Sequence, residues 1–154
     1  TFAHYPSNAA NKGTAKICEM MAQYDVKFIC DETKLSHKEN LKRIAECDVY
    51  IELFAPLQNG KPYGSFGVTA FEAAALGKSV ITNSANHYVY KKAYGEGAMF
   101  VANTESEFRE AVEYLAANSN YRQDLGVMAR CWIEEKHSYE ATGKYLMKIL
   151  NDTR

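Results

Sequence analysis

With 154 residues, 47% hydrophobic and 24% charged, the chain has the make-up of one ordinary globular domain and not of a disordered or fibrous protein. A net charge of −1 with no Lys/Arg run gives no field for gripping nucleic acid, and no stretch approaches the ~18 consecutive apolar residues of a membrane span. No signal peptide is legible, and the chain opens at Thr1 inside a strand-like stretch without a methionine, so it is expected to be a piece of a longer protein.

Phe2-Ala3-His4-Tyr5 is the first predicted strand, ended by Pro6, which holds the backbone before it extended. Ser7 to Gly13 reads as a small polar loop. Thr14 then opens a helix whose Ile17, Met20, Met21 and Tyr24 fall at i, i+3, i+4 and i+7. Strand, small-residue loop and helix make the first half of a βαβ unit, where anions collect at a helix N-terminus. Lys12 and Gly13 stand at that point; on its own, Lys12 is either a solvated loop lysine or an anion ligand. Val26 to Cys30 is the second strand, and Asp31 to Leu35 leaves its C-terminal end, the edge where open α/β sheets hold ligands. Ser36 and Glu39 form a capping box, and Leu41, Ile44 and Ala45 supply the inner face of the next helix. Val49 to Phe54 is the third strand, and Ala55 to Pro62 is a turn-rich connection.

From Tyr63 to Asn83 a loop, a helix and a strand follow without a break. Gly64 and Gly67 bracket Ser65 and Phe66, and let backbone N–H groups approach a ligand that a Cβ would push away; phosphate is the natural guest. The Ala-rich run predicts a helix from about Phe66 to Leu76, stopped by Gly77 in a left-handed conformation. Ser79 to Thr82 is the fourth strand, buried as in a parallel sheet. Glu72 lies inside the helix, roughly 7–8 Å along the axis from Gly67 at about 1.5 Å per residue, and its side chain leans back toward the N-terminus. It is either a solvated residue on the outer face of an amphipathic helix or a carboxylate set to hold a ribose diol while the helix amides hold phosphate.

Ala85 to Gly97 is expected to be a loop with at most one irregular helical turn, and its His87 reads as polar surface. Ala98 to Val101 is the fifth strand. Thr104 and Glu107 make a second capping box, with Phe108, Ala111, Val112 and Leu115 as the buried stripe of its helix. Tyr121, Leu125, Met128, Ala129 and Trp132 mark a further helix, and Tyr139, Thr142, Tyr145, Leu146 and Ile149 the last. Cys18, Cys30, Cys47 and Cys131 are singly spaced and read as small buried hydrophobes in a reducing cytoplasm; with His4, His37, His87 and His137 equally isolated, no metal site is expected. Five strands alternating with helices predict an α/β fold, a Rossmann-like doubly wound parallel sheet, in a single domain over residues 1–154.

FGVTAFEAAALGKSVIT resembles the segment FG…E-A-x-A-x-G-x-P-V-I of nucleotide-sugar glycosyltransferases of the two-domain GT-B architecture, in particular the retaining enzymes of family 4, glycosyl transferases group 1. HYPSNAANKGTAKI is similar to the H-x-P-S-N…K-G-T opening of the C-terminal, donor-binding domain of that family. ARCWIEEKHSYEATGKYL is similar to the helix, turn and final helix that close it. The resemblance implies one half of a GT-B fold, holding a nucleoside-diphosphate sugar. Lys12, Gly13, Gly64, Ser65, Phe66 and Gly67 would meet the diphosphate, Glu72 the ribose, and Glu32, Thr33, Lys34 and Leu35 the nucleobase. It further implies glycosyl transfer with retained configuration, without metal or other cofactor, to a glycan or other acceptor bound by an N-terminal domain outside this chain. The setting implied is the cytoplasm, peripheral to a membrane through parts outside this chain. No catalytic residue is assigned within it.

Two departures stand out. Gly64 occupies the place, eight residues before Glu72, where many members carry a first glutamate. No basic residue precedes Lys12, where an arginine often shares the diphosphate. The alternatives are a nucleotide-sugar epimerase-like GT-B enzyme using Glu52 or Glu32 as acid and base, and a non-catalytic nucleotide-binding or interaction domain. A dinucleotide-binding oxidoreductase is disfavoured, since no G-x-G-x-x-G follows the first strand.

Overall fold

The computed structural model describes residues 1–152. The chain runs β1 (Phe2–His4), α1 (Ala9–Lys12), α2 (Thr14–Met21), β2 (Phe28–Cys30), α3 (His37–Ala45), β3 (Val49–Ile51), a hairpin of β4 (Leu57–Gln58) and β5 (Lys61–Pro62), then α4 (Val68–Ala75) and β6 (Ser79–Thr82). It continues through α5 (His87–Tyr94), β7 (Phe100–Val101), α6 (Glu105–Ala117), α7 (Ser119–His137) and α8 (Tyr139–Asp152). Five strands form one parallel sheet in the order β2-β1-β3-β6-β7. Phe2 lies opposite both Phe28 and Val49, and Tyr50 lies opposite Val80. This is the doubly wound, Rossmann-like α/β fold expected from the sequence.

Strand side chains alternate between the two faces, so each short strand feeds two cores. Phe2, Val49, Ile51 and Ile81 pack with Ile17, Met20 and Met21 of α2 and with Phe108, Ala111, Val112 and Leu115 of α6. Ala3, Tyr50 and Val80 pack on the other face with Ile44 of α3, Ala70, Ala73 and Ala74 of α4, and Ala129 and Trp132 of α7. Each fully buried Ile, Leu or Phe contributes about 1.5–3 kcal/mol of transfer free energy, which is what holds strands of two to four residues in place. The small alanines let α4 approach the sheet. Gly126 lets α7 approach the turn after α4: a Cβ there would stand on the Gly77 carbonyl oxygen.

Several expectations need correction. Ser7 to Gly13 is not only a loop: Asn8 caps a one-turn helix, its side chain accepting from Asn11 N–H at 3.0 Å. Strands 2, 3 and 5 are shorter than read, beginning at Phe28, stopping at Ile51 and beginning at Phe100 respectively, and α4 starts at Val68. The turn-rich connection holds the β4–β5 hairpin, closed by Asn59 and Gly60, both at positive φ. Ala85 to Gly97 contains the two-turn helix α5, because Tyr90 and Tyr94 pack against Phe66, Phe71 and His137. Ala45 is exposed and so is not on the inner face of α3. Only Cys47 is buried; Cys18 and Cys30 are half-buried and Cys131 is exposed. The last two helices form where their apolar residues mark them, though Tyr121 and Met128 are exposed on α7 and α8 buries none of its residues. No described helix is long and apolar enough to cross a membrane.

Candidate functional site

In an open parallel sheet the ligand edge lies beyond the carboxyl ends of the strands, at the point where the strand order reverses. Here the chain moves from β1 outward to β2 and then crosses back to β3 on the other side of β1, so that point is between β1 and β3. Two cavities open there. One, of ≈390 Å³, is lined by Lys12, Leu53, Tyr63, Gly64, Ser65 and Gly67, with Pro62, Ala85 and Asn86 completing it. The other, of ≈300 Å³, is lined among others by Ser7, Thr33, Lys34, Leu35, His37 and Thr69. The first turn of α4 touches both, Gly67 facing the first and Thr69 the second. A larger cavity of ≈710 Å³ runs along β7 and α6, but Glu107, Glu110 and Glu113 wall it, an arrangement that repels anions.

Lys12 and Glu52 meet across the reversal point as an ion pair, Lys12 following β1 and Glu52 following β3. Glu52 is 1% exposed. Burial raises its carboxyl above the usual carboxylate range, Lys12 pulls it back, and Glu72 raises it further. Among the described residues lining the first cavity, Lys12 alone carries charge. Gly13 forms the elbow between α1 and α2 at φ 69°, where a Cβ would overlap the Phe54 carbonyl; its place is fixed by that close approach.

His4 braces the same elbow from within the sheet. A carbonyl only accepts, so the bond between Nδ1 and Ile51 O (2.7 Å) puts the proton on Nδ1, and Nε2 accepts from the Thr14 hydroxyl at 2.9 Å. Burial holds this imidazole neutral, lowering its pKa from 6.5 to about 4.

The glycine turn is anchored by Asn83, which is fully buried at the end of β6. Its Oδ1 accepts from Ala55 N–H at 2.8 Å and its Nδ2 donates to Tyr63 O at 2.7 Å, tying the turn to the end of β3. Gly64, at φ 104°, lies directly against this side chain. Gly67 is the N-cap of α4 and has no side chain to cap it. Ala70 and Phe71 make the first bonds back to Gly67 O, so the amides before them are directed out of the helix start. A Cβ on Gly67 would stand on Glu52 Oε1 and 3.1 Å from Lys12 Nζ. Ser65 lines the cavity, whereas Phe66 turns its ring into the core against Tyr90 (4.8 Å between centroids).

In the second cavity the loop after β2 is set by Arg43. Its guanidinium lies over the Tyr5 ring at 4.2 Å and donates to Asp31 Oδ2 at 3.2 Å and to Thr33 O at 3.3 Å. Lys34 donates to Ser7 O, joining the β1 and β2 loops. Glu32 does not line the cavity. Glu72, 23% exposed, bonds His37 Nε2 at 2.7 Å, so it faces the His37 side of the second cavity. His87 begins α5 with its Nε2 3.8 Å from Glu96, and lines neither cavity.

The structure thus gathers Lys12, Gly64, Ser65 and Gly67 at one cavity and Thr33, Lys34 and Leu35 at the other, with Glu72 near the second. Sequence reasoning missed Asn83 and the Lys12–Glu52 pair. A polar residue ending the apolar run SVITN and a carboxylate inside VYIELF were the available signals. No family model matches the chain, and no curated protein matches it.

Proposed function

We propose that the chain binds a nucleoside-diphosphate sugar along the carboxyl edge of its sheet, as the donor-binding half of a retaining glycosyltransferase of GT-B type. The observation that carries this reading is the pair of adjacent cavities flanking the first turn of α4. One offers outward-directed amides and Lys12, a setting for phosphate. The other offers a loop floor with backbone and side-chain hydrogen-bonding groups, a setting for a base. Glu72, bonded to His37 of the second cavity's lining, would meet the joining ribose.

In this reading Lys12 and the α4 amides hold the diphosphate and stabilise its charge as it leaves with the nucleoside, an electrostatic role needing no acid or base from this chain. No metal is required for that role. The acceptor and its positioning come from another domain, since transfer needs both substrates held within reacting distance.

A second reading, a non-catalytic nucleotide-binding module, is favoured by one observation: the single cation of the phosphate cavity is already paired to Glu52. Calorimetry against a panel of nucleoside diphosphates and their sugars, with a transfer assay on the longer protein, separates the two. Binding with turnover supports the transferase, and binding without turnover supports the module. Absence of binding removes both.

A further inference from the structure

We propose that an incoming diphosphate displaces Glu52 as the partner of Lys12, and that Glu52 takes up one proton from solvent as the ligand binds. This rests on the proposed function and describes how the same cavity receives its anion. Lys12 lines that cavity while Glu52, 1% exposed, lies behind it, so one ammonium is shared between a buried carboxylate and whatever enters. Gly67 has no side chain to separate the first turn of α4 from the pair, so an anion held by that turn stands beside the carboxylate. Among the described lining residues there is no second cation to serve the ligand instead.

Once Lys12 turns to phosphate, an ionised Glu52 would be a buried, unpaired charge next to two more negative charges, the arrangement that desolvation and repulsion penalise most. A proton on the carboxyl removes the charge and converts an acceptor into a donor. The groups around Glu52 work in the same direction. Glu72 on α4 adds negative charge, and its neighbour His37 on α3 is committed to it. Tyr50, two residues back on β3, is held neutral by burial, its hydroxyl pushed above the usual range. His4 on β1 is neutral and fully bonded, and offers no replacement cation. Burial already pushes Glu52 upward, which shortens the step to the protonated form.

The test is calorimetry with UDP-glucose and GDP-mannose. Both phosphates of such a ligand are esterified, so it lacks the second ionisation near pH 6 of a phosphate monoester and keeps its charge across neutral pH. Measured at one pH in two buffers of different ionisation enthalpy, binding by the wild-type chain should take up protons, at most one per ligand. Affinity should weaken as pH rises, by up to about tenfold per pH unit. In Glu52→Gln the uptake and the pH dependence should vanish, and binding at high pH should exceed that of wild type. Should that variant fail to fold by thermal melting, the two-buffer measurement on the wild type still decides. Binding without proton uptake, or an unchanged pH profile in Glu52→Gln, overturns the exchange. Failure of both nucleotide sugars to bind at any pH overturns the proposed function, and the exchange with it.

Discussion

Glu72 holds a neighbour that a ribose would replace or join: its Oε1 is 2.7 Å from His37 Nε2. Glu72→Gln is nearly isosteric, but it removes the charge and turns one acceptor into a donor. It should weaken a ribonucleoside diphosphate by about 1.5–3 kcal/mol, the range for hydrogen bonds to charged groups, and leave a 2′,3′-dideoxy ligand unaffected. Equal losses for both ligands in calorimetry would make Glu72 structural. His4 gives a stability prediction with a definite sign. Its folded pKa is lowered from 6.5 to about 4, so its contribution is present above 6.5 and is lost as pH falls toward 4. The full effect is roughly 3 kcal/mol, of which roughly 2 kcal/mol falls between about pH 7 and pH 5. Glu52 has the opposite sign: its raised carboxyl favours the folded state at low pH and loses that contribution as pH rises. Denaturant unfolding at the two pH values should show a smaller acid loss in His4→Gln than in wild type; equal losses would place the acid sensitivity elsewhere.

At the scale of elements, Asn83 is the joint between the glycine turn and β3. Asn83→Ala leaves Ala55 N–H and Tyr63 O without their partner and should destabilise the chain by about 2–6 kcal/mol, at about 1–3 kcal/mol per unsatisfied group, toward the lower end because both groups are only part-buried. Amide exchange in the Tyr63–Gly67 turn should quicken with it; an unchanged unfolding free energy would show the turn to be held by other contacts. Where element boundaries follow from local chemistry, they were legible in the sequence. The capping boxes at Ser36/Glu39 and Thr104/Glu107 and the left-handed stop at Gly77 all form as read. Helix α5 was not legible, because HYVYKKAY is held by Phe66, Phe71 and His137, which come from other parts of the chain. The Lys12–Glu52 pair was hidden for the same reason. Forty residues separate its members, and only the adjacency of β1 and β3 brings them together. The β4–β5 hairpin, by contrast, carried an Asn-Gly signal in plain view.

For the whole molecule, the two cavities are open on one side, so a bound diphosphate stays in contact with water and its attraction to Lys12 is screened. The chain by itself should bind nucleotide sugars only modestly, with Kd in roughly the 10 μM to 1 mM range, weakening as salt is added. A nanomolar, salt-independent Kd by calorimetry would show that the site is complete and enclosed. The central claim is that one ligand lies across the first turn of α4, with diphosphate toward Lys12 and base toward Thr33 to Leu35. Chemical-shift mapping of the ¹⁵N-labelled chain during titration with UDP-glucose and GDP-mannose tests it directly. The account predicts saturable shifts at Lys12, Gly13, Gly64 to Val68 and Thr33 to Leu35 together, with a single affinity; shifts confined to the Tyr114–Tyr121 cavity, or none at millimolar ligand, would contradict it.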